Sequence, residues 1–362
     1  MDIGSFAYTA LSFAIALGIL VFVHELGHFL VAKRVGVKVL RFSIGFGPIL
    51  AARRRGETEY ALSALPLGGY VKMLGEEDEA EPEAVHDPTR AFHTQPITRR
   101  GAIVSAGPAM NFVFAFVAYA ALFATVGVEM PSNTTRVAGV SLGLPAEKAG
   151  VRAGDRVVAI DGTPIETWEQ LSEVVRGSGG TPLAVRLERD GRLVEVTITP
   201  SLEESRTMFD EPAGKVYRIG IEQSHEWQHV SPPRAVWMAG QQTVFATGAV
   251  VKGLYLMLTG HVPLKELGGP IAIARAAGAQ ARAGFRYFLL TLAYLSVNLG
   301  VINLLPIPGL DGGLLAFFGV EGLLRRPLRQ RHRELAQQVG LLLLITLMVF
   351  VFYNDIHRLV QG

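Results

Sequence analysis

Long apolar stretches alternate with mixed segments along the chain. A helix needs about 20 apolar residues to cross a bilayer, and four stretches approach or exceed that length. They are residues 6–32, 101–128, 287–305 and 339–353, of which the last is the shortest. Residues 234–258 are also apolar, but glycines, glutamines and a lysine interrupt them, which favours a helix lying on the membrane surface. The pattern predicts a polytopic α-helical membrane protein with about four spans.

Positive charges predict how these spans are oriented. Lysines and arginines are concentrated between the first two spans, in residues 33–100, and between the last two, in residues 325–333. Cytoplasmic connections carry such an excess of positive charge. Both connections are therefore expected to be cytoplasmic, with both termini and residues 129–286 on the outer side.

A shorter period appears in the first cytoplasmic connection. Residues 39–44 and 58–62 alternate apolar and polar side chains, and Arg53–Gly56 lie between them. Such alternation, separated by turn residues, predicts a β-hairpin within residues 39–64. Its free edge can pair with the extended backbone of another chain, although an ordinary exposed hairpin has the same pattern. The acidic residues 76–83 indicate a solvated loop.

The outer segment predicts a small α+β domain. The predicted strands are residues 137–140, 156–160, 183–189 and 193–199. Asp161-Gly162 and Asp190-Gly191 supply turns, and residues 166–176 supply a helix. The predicted organisation is two spans with the hairpin in residues 1–128, the domain in 135–200, an irregular segment with the surface helix in 201–282, and two further spans in 283–362.

Composition agrees with a membrane class. Of the 362 residues, 49% are hydrophobic and 18% are charged, below the roughly one quarter charged residues of soluble domains. The formal net charge of +2 gives no support for a nucleic-acid partner. The absence of cysteine excludes disulfides, cysteine zinc ligands and thiol catalysis. The N-terminal residues lack the basic region of a signal peptide, so no cleaved leader is expected.

The strongest chemical signal is the sequence HELGH at residues 24–28. On a helix His24 and His28 share one face, so both imidazoles can bind one Zn²⁺. Glu25 lies beside them, where a carboxylate can accept a proton from the attacking water. A chance match is the alternative, but ionisable side chains in an apolar helix are costly and mark functional sites.

A catalytic zinc needs a third protein ligand, and the candidate lies far along the chain. Asp311 follows the third span and two prolines, Pro306 and Pro308. The prolines break the helix, so the backbone is expected to bend into a protein-lined cavity. An Asp-Gly pair taken alone is more often a turn. Together with HELGH, Asp311 predicts a His–His–Asp centre.

Other acidic and histidine residues fit a metal centre less well. Glu266 and Asp355 are expected on the outer side, and Glu321 lies towards the cytoplasmic arginines. A second HExxH match, HEWQH at residues 225–229, has no helical pattern around it. This second match is therefore interpreted as chance.

Three motifs in combination resemble the site-2 protease family of intramembrane zinc metalloproteases. They are HELGH in the first span, GPAMN at residues 107–111 and NLLPIPGLDGG at residues 303–313. GGYVKM at residues 68–73 and LGGP at residues 267–270 extend the resemblance over nearly the whole chain. The nearest branch is the bacterial regulator-of-sigma type, and the predicted hairpin is similar to the membrane-associated β-loop of this family.

The resemblance implies a reaction and the residues that perform it. It gives the zinc ligands as His24, His28 and Asp311, with Glu25 as the base that activates water. It also implies that Asn298 and Asn303 hold substrate near the metal, although buried amides that only join helices would leave the same sequence. The reaction implied is hydrolysis of a peptide bond within or beside the bilayer.

The resemblance also implies partners and a location. The substrates would be single-span membrane proteins trimmed by an upstream site-1 protease, such as the anti-sigma factors of stress responses, and remnant signal peptides. The protein would lie in the inner membrane, surrounded by membrane lipid, with its active site towards the cytoplasm and its outer domain and both termini outside.

Residues 144–162 resemble the signature stretch of a PDZ domain. PDZ domains capture chain ends by strand addition, and in this family they also act as size filters. The outer segment has room for one such domain, whereas related proteases carry two in tandem. A filter built from a paired ring is therefore not expected here.

Two other function classes stay open. A metal transporter also places His and Asp in its spans, but it does not explain the position of Glu25 or the PDZ-like domain. A membrane scaffold built on the PDZ-like domain would carry an inactive zinc site, against which the intact Glu25 argues. Hydrolysis of a single-span substrate, with and without a chelator, separates the three classes.

Overall fold

Two units make up the chain in this computed structural model. The structure describes residues 3–76, 87–206, 212–263, 265, 267–326 and 328–361. The first unit combines residues 1–124 with 231–362, and the second comprises residues 125–230. Most of the predicted acidic loop, together with Glu266, lies outside the described residues.

An uninterrupted apolar sequence forms the first helix. Helix α1, Ile3–Arg34, has 32 residues and ends on Lys33 and Arg34. The basic last turn suits the negative end of the helix dipole. Residues Gly4–Arg34 are long and apolar enough to cross a membrane. HELGH therefore lies near the basic end of a helix that is long and apolar enough to cross a membrane.

Two long antiparallel strands follow α1. They are β1, Val39–Arg55, and β2, Thr58–Met73. Gly45 in β1 has φ +90° and Gly68 in β2 has φ +145°, conformations that favour glycine and interrupt the regular strand. The predicted hairpin is confirmed, and it continues beyond residue 64 to the end of the GGYVKM motif.

The two strands form a sheet with four paired segments. The first half of β1 pairs on one side with residues 69–73 and on the other with residues 59–62. The second half of β1, residues 49–55, pairs with the first half of β2. Within the described residues, segments 49–55 and 69–73 are therefore the two edges of the sheet.

Helix α2, Ile97–Thr125, packs closely against α1. A short 3₁₀ turn at Pro88–Arg90 precedes it, and its 29 residues are apolar enough to cross a membrane. A Cβ added to Gly27 of α1 would lie 2.2 Å from the backbone oxygen of Ala106 in α2. Small residues permit this approach of two membrane helices, and they bring α2 to the level of HELGH.

The second unit consists of short strands with two helices in its described residues. The strands are β3 (Val128–Pro131), β4 (Val137–Val140), β5 (Arg156–Ile160), β6 (Thr163–Pro164), β7 (Leu183–Arg189), β8 (Arg192–Ile198), β9 (Ser201–Arg206), β10 (Pro212–Arg218), β11 (Ile221–Gln223) and β12 (His225–Gln228). The helices are α3 (Pro145–Lys148) and α4 (Trp168–Gly177). Strands β6-β5-β7-β8 form an antiparallel sheet, from which Val185 and Leu187 enter the core.

Most elements of this unit match the prediction. The predicted boundaries of β4, β5, β7 and β8 agree to within one residue. Asp161-Gly162 and Asp190-Gly191 have positive φ at both residues, as type I′ hairpin turns require. Thr167 and Gln170 form a capping box at the start of α4.

Residues 201–228 differ from the irregular segment expected from the sequence. They form β9 to β12, in which β9 pairs with β10, β11 with β4, and β12 with β3. Several of these strands are too short for alternation to reveal them, and two pair with strands from the start of the unit. The compact unit accordingly comprises residues 125–230.

Two helices continue the first unit. Helix α5, Pro232–Leu258, runs through the glycines and glutamines that suggested interruptions, and α6 comprises Pro270–Ala283. Helix α5 is not among the helices of the described chain that qualify as membrane spans. Its position on the membrane surface stays a prediction.

Three helices complete the chain. They are α7 (Phe285–Asn303), α8 (Asp311–Leu324) and α9 (Gln330–Gln361). With α1 and α2, helices α7 and α9 make four in the described residues that are long and apolar enough to cross a membrane. The predicted span 339–353 is the centre of a longer helix, because the polar residues before it are also helical.

Candidate metal centre

The two histidines of HELGH meet on one face of α1. His24 and His28 are each 8% exposed, and their Nε2 atoms are 3.2 Å apart. The four-residue helical spacing accounts for this arrangement, as the sequence predicted.

Asp311, which is distant in sequence, lies close to His24 and His28. Helix α7 ends at Asn303, and the turn that follows contains Pro306, Pro308 and Gly309, the last with φ +100°. Asp311 then opens α8, with its Oδ2 3.1 Å from His24 Nε2 and 3.5 Å from His28 Nε2. In the described chain, these residues are the one group of three His or carboxylate side chains close enough to share a metal ion.

The donor set fits a zinc ion. Two ligands of a tetrahedral Zn²⁺ at about 2.0–2.1 Å from the metal lie about 3.3 Å from each other. The three separations here are 3.1, 3.2 and 3.5 Å. Two imidazole nitrogens and a carboxylate oxygen would face one another with their lone pairs, which is favourable around a cation. Oδ2 of Asp311 is buried without a hydrogen-bond partner among the described residues, as a metal ligand would be.

Helix α2 forms the wall behind the histidines. A Cβ added to Gly107 would lie 2.3 Å from His28 Nε2 and 2.8 Å from His24 Cε1. Glycine is therefore required at this position for the two rings to approach the helix. Sequence reasoning used Gly107 only as part of a family motif and did not assign it this role.

Helix α2 also contacts the outer ring nitrogens. His28 Nδ1 lies 2.9 Å from the backbone oxygen of Ile103, and His24 Nδ1 lies 3.1 Å from Asn111 Nδ2. Such contacts orient metal-binding histidines and fix their tautomer. Ile103 could not be found from the sequence, because any residue type supplies a backbone carbonyl.

Glu25 lines the cavity that contains these residues. The cavity measures about 1260 Å³, and His24, His28 and Asp311 also line it. Edge segment 69–73 of the sheet contributes Tyr70, Val71, Lys72 and Met73 to the wall. The proposed base, the proposed ligands and a strand edge thus share one cavity.

Two other carboxylates considered as metal ligands, Glu321 and Asp355, have partners elsewhere. Glu321 is 1% exposed and binds Arg100 and Arg333. Burial alone would raise the pKa of Glu321, but the hydrogen bond from Arg333 lowers it. Asp355 accepts hydrogen bonds of 2.9–3.1 Å from the first backbone N–H groups of α6 and therefore acts as a helix cap.

Asn298 and Asn303 are not among the residues that line this cavity. The Asn298 side chain donates to the backbone oxygen of Tyr294, one turn earlier in α7, at 2.9 Å. Asn303 is the last residue of the same helix. Their contact with substrate stays a prediction.

The first four residues of the second HExxH match form strand β12, and His229 follows it. His225 begins β12, and residues four apart on a strand are separated by about 13 Å. His225 and His229 therefore lack the helical spacing of His24 and His28, and they do not form a metal-binding group among the described residues.

Comparison with known proteins supports the same chemistry. The model of peptidase family M50 matches residues 12–347. A Mesorhizobium japonicum protein, whose name assigns it provisionally to the zinc metalloproteases, is 40% identical over 97% of this chain and 99% of its own. The regulator of sigma-E protease RseP of Salmonella typhimurium is 34% identical over 98% of this chain and 100% of its own. Protease RseP of Yersinia pestis is also 34% identical, over the same shares of the two chains. The chain therefore belongs to peptidase family M50, the site-2 proteases, and is a zinc metalloprotease.

Proposed function

We propose that the protein is an intramembrane endopeptidase that cuts single-span membrane proteins at a zinc centre formed by His24, His28 and Asp311. The observation that carries this proposal is the convergence of these three side chains in one cavity at the end of an apolar helix. The reaction is regulated intramembrane proteolysis.

The metal ion and Glu25 have different roles in hydrolysis. Zinc, when bound, supplies a Lewis acid that activates water and polarises the scissile carbonyl. Glu25 follows His24 directly and lines the cavity, so its carboxylate can accept a proton from the attacking water. The same carboxylate then delivers this proton to the leaving amine nitrogen.

Edge segment 69–73 binds the substrate backbone. This segment lines the cavity beside Glu25, and its described pairing is with the first half of β1 alone. An extended peptide can add to such an edge through main-chain hydrogen bonds. A transmembrane helix must unwind before it is cut, and strand addition stabilises the unwound form.

Residues 135–200 act as a single PDZ domain on the outer side of the inner membrane. The four-stranded sheet and the capped helix α4 support this assignment. The domain filters substrates by size, so that trimmed proteins reach the centre. The active site itself faces the cytoplasm, as the basic connections around it indicate.

The substrates are anti-sigma factors already trimmed by a site-1 protease, and remnant signal peptides. The name of the Salmonella relative, regulator of sigma-E protease, supports this substrate class.

Purified full-length protein in lipid, mixed with a single-span substrate, tests the proposal. We expect cleavage that a chelator abolishes. Glu25→Gln should retain zinc but lower turnover by roughly 10²–10⁴-fold, because an amide cannot accept the proton. A transporter would instead move zinc into vesicles without cleavage, and near-normal turnover by Glu25→Gln would exclude the proposed proton transfer.

A further inference from the structure

Three consecutive arginines end strand β1. The side chains of Arg53, Arg54 and Arg55 are exposed, and none of them forms a hydrogen bond or ion pair with a residue that the structure describes. They lie on edge segment 49–55, which is not the edge that lines the catalytic cavity.

The nearby carboxylates are occupied by other cations. Glu57 accepts hydrogen bonds from Lys33 Nζ at 2.5 Å and Arg90 Nη2 at 2.6 Å. The Lys33 contact, followed by that of Arg90, lowers the pKa of Glu57 below its ordinary value despite partial burial. Glu59 lies across from Arg54 in the sheet but binds Arg41 Nε at 2.5 Å. No described carboxylate therefore pairs with these three arginines, which form a positive patch, the tip arginines.

The hairpin tip that carries the tip arginines is tied to the basic end of α1. Lys33 is in the last turn of α1, whose apolar span ends at Arg34, and its contact with Glu57 holds the hairpin tip at that level. Exposed leucines occur on the same sheet, with Leu50 69% and Leu62 49% exposed. Exposed apolar side chains beside cationic ones are the arrangement of interfacial membrane segments.

We propose that the tip arginines bind the headgroups of anionic phospholipids and thereby hold the four-segment sheet at the membrane surface. A guanidinium matches phosphate with two parallel hydrogen bonds. Each basic residue near an anionic membrane strengthens association by roughly fivefold. The proposal rests on the proposed membrane placement of the hairpin and does not depend on peptidase activity.

A fluorescent probe tests this contact. The chain has no cysteine, so Ala52→Cys, an exposed position beside the arginines, accepts a single label on full-length protein in vesicles. Quenching is compared between nitroxide-labelled phosphatidylglycerol and nitroxide-labelled phosphatidylcholine. We expect a preference of several-fold for the anionic lipid, which high salt removes.

The matched variants remove equal charge at two places. Replacing the tip arginines with glutamine should abolish the preference, whereas glutamine at Arg325, Arg326 and Arg329 should leave it unchanged. Inorganic phosphate at constant ionic strength should not compete, and competition would identify free phosphate as the ligand instead. The proposal is overturned if the labelled protein that retains all three tip arginines is quenched equally by both lipids at low salt. This outcome does not depend on whether the variants fold.

A second, independent observation concerns a buried amide on α2. Asn111 is 0% exposed, and its Oδ1 has no hydrogen-bond partner among the described residues. Its Nδ2 faces His24 Nδ1 at 3.1 Å. A buried amide oxygen without a donor is costly and requires an explanation.

The tautomer of His24 explains this amide. His24 presents Nε2 to Asp311 and His28, so ligation through Nε2 leaves the proton on Nδ1. That proton needs an acceptor, which His28 has in the Ile103 carbonyl. Turning the Asn111 amide by 180° places Oδ1 opposite His24 Nδ1–H, so that the buried oxygen accepts a hydrogen bond from the ring, and Nδ2 takes the position without a described partner.

We infer that Asn111 is a positioning residue whose Oδ1 accepts a hydrogen bond from His24 Nδ1–H and thereby fixes the metal-binding tautomer of His24. This inference rests on the proposed ligation by His24. Asn111→Leu should weaken zinc binding by roughly 10–100-fold in competition with a chelator. Asn111→Asp keeps an acceptor and should stay within a few-fold of the unmodified protein.

Ser296→Ala is the packing control. Ser296 donates to the backbone oxygen of Asn111 at 2.8 Å, so its loss loosens helix contact without touching His24. Equal losses of zinc affinity in Asn111→Leu and Ser296→Ala would assign Asn111 a packing role and overturn the inference. An NMR spectrum of the zinc-loaded, unmodified protein with the His24 proton on Nε2 would also overturn it. Unchanged zinc affinity in His24→Ala would instead refute the proposed centre.

Discussion

Asp311 is the anionic ligand of the proposed zinc centre, whose other two ligands are imidazoles. Asparagine has nearly the same size, but a neutral amide is a poorer ligand for a dication. We therefore expect Asp311→Asn to lower the zinc content of purified, folded protein and to abolish cleavage. Zinc stoichiometry measured by elemental analysis checks the first expectation.

Glu334→Gln is the matched control for this substitution. Glu334 lines the same cavity and is exposed, whereas Glu321 is buried between two arginines and its loss would disturb the fold. Full zinc in Asp311→Asn combined with loss of zinc in Glu334→Gln would show that the wrong carboxylate has been assigned.

The close approach of α2 to the histidines gives a second test. A methyl group at Gly107 would occupy the space of the His28 and His24 rings. Gly107→Ala should therefore weaken zinc binding while helix content by circular dichroism stays the same. Gly101→Ala lies on the same helix with open space around it and should bind zinc normally. Equal zinc affinity in both variants would contradict a rigid wall behind the centre.

Sequence reasoning reached the proposed ligands but not their supports. His24 and His28 are tied by helical spacing, and Asp311 by the helix-breaking prolines before it. Ile103 acts through its backbone and Gly107 through the absence of a side chain, so neither leaves a chemical signature in the sequence. Their roles depend on how closely α1 and α2 pack.

At the scale of elements, an ion pair joins the start of strand β5 to the end of strand β7. Arg189 donates to both carboxylate oxygens of Asp155 at 2.8 and 2.7 Å, and the Arg152 N–H donates at 2.8 Å. The Arg189 hydrogen bonds lower the pKa of Asp155, although burial opposes them. The folded pKa lies below the unfolded value of about 3.9. The resulting stability is present above that value and is lost as the pH falls through the folded pKa.

Hydrogen exchange of the β5 and β7 amides measures this effect. Protection should be high at neutral pH and fall in acid, whereas Asp155→Asn should have reduced protection already at neutral pH. Glu195→Gln breaks the exposed pair with Arg186 and should change little. Equal protection of the Asp155→Asn and unmodified proteins at neutral pH would show that the pair does not stabilise the unit.

Elements with strong local signals were predictable, and elements defined by distant partners were not. The hairpin turns at Asp161-Gly162 and Asp190-Gly191 are local and were placed correctly. Segment 69–73 is an edge strand because its strand partner is the first half of β1, on one side only. Gly68 and Gly69 interrupt the alternation that would have predicted it from the sequence. Strands β11 and β12 likewise depend on pairing with strands far back in the chain.

At the scale of the whole molecule, the proposed catalytic residues all belong to the first unit. Helices α1 and α8 supply the ligands and α2 the wall behind them, whereas residues 125–230 form a separate unit inserted between α2 and α5. The proposed chemistry and the proposed substrate selection therefore belong to different units of the chain.

The last prediction concerns membrane topology. The basic connections should face the cytoplasm and the unit 125–230 should face outward. Because the chain lacks cysteine, single cysteines at Thr89, Arg326 and Leu193, all exposed, report on each side separately. In right-side-out vesicles, a membrane-impermeant thiol reagent should label position 193 at once, and positions 89 and 326 only after the membrane is permeabilised. Inverted vesicles serve as the control and should reverse the pattern. Labelling of all three positions from one side would contradict four spans, since positions 89 and 193 would then not be separated by the membrane helix α2.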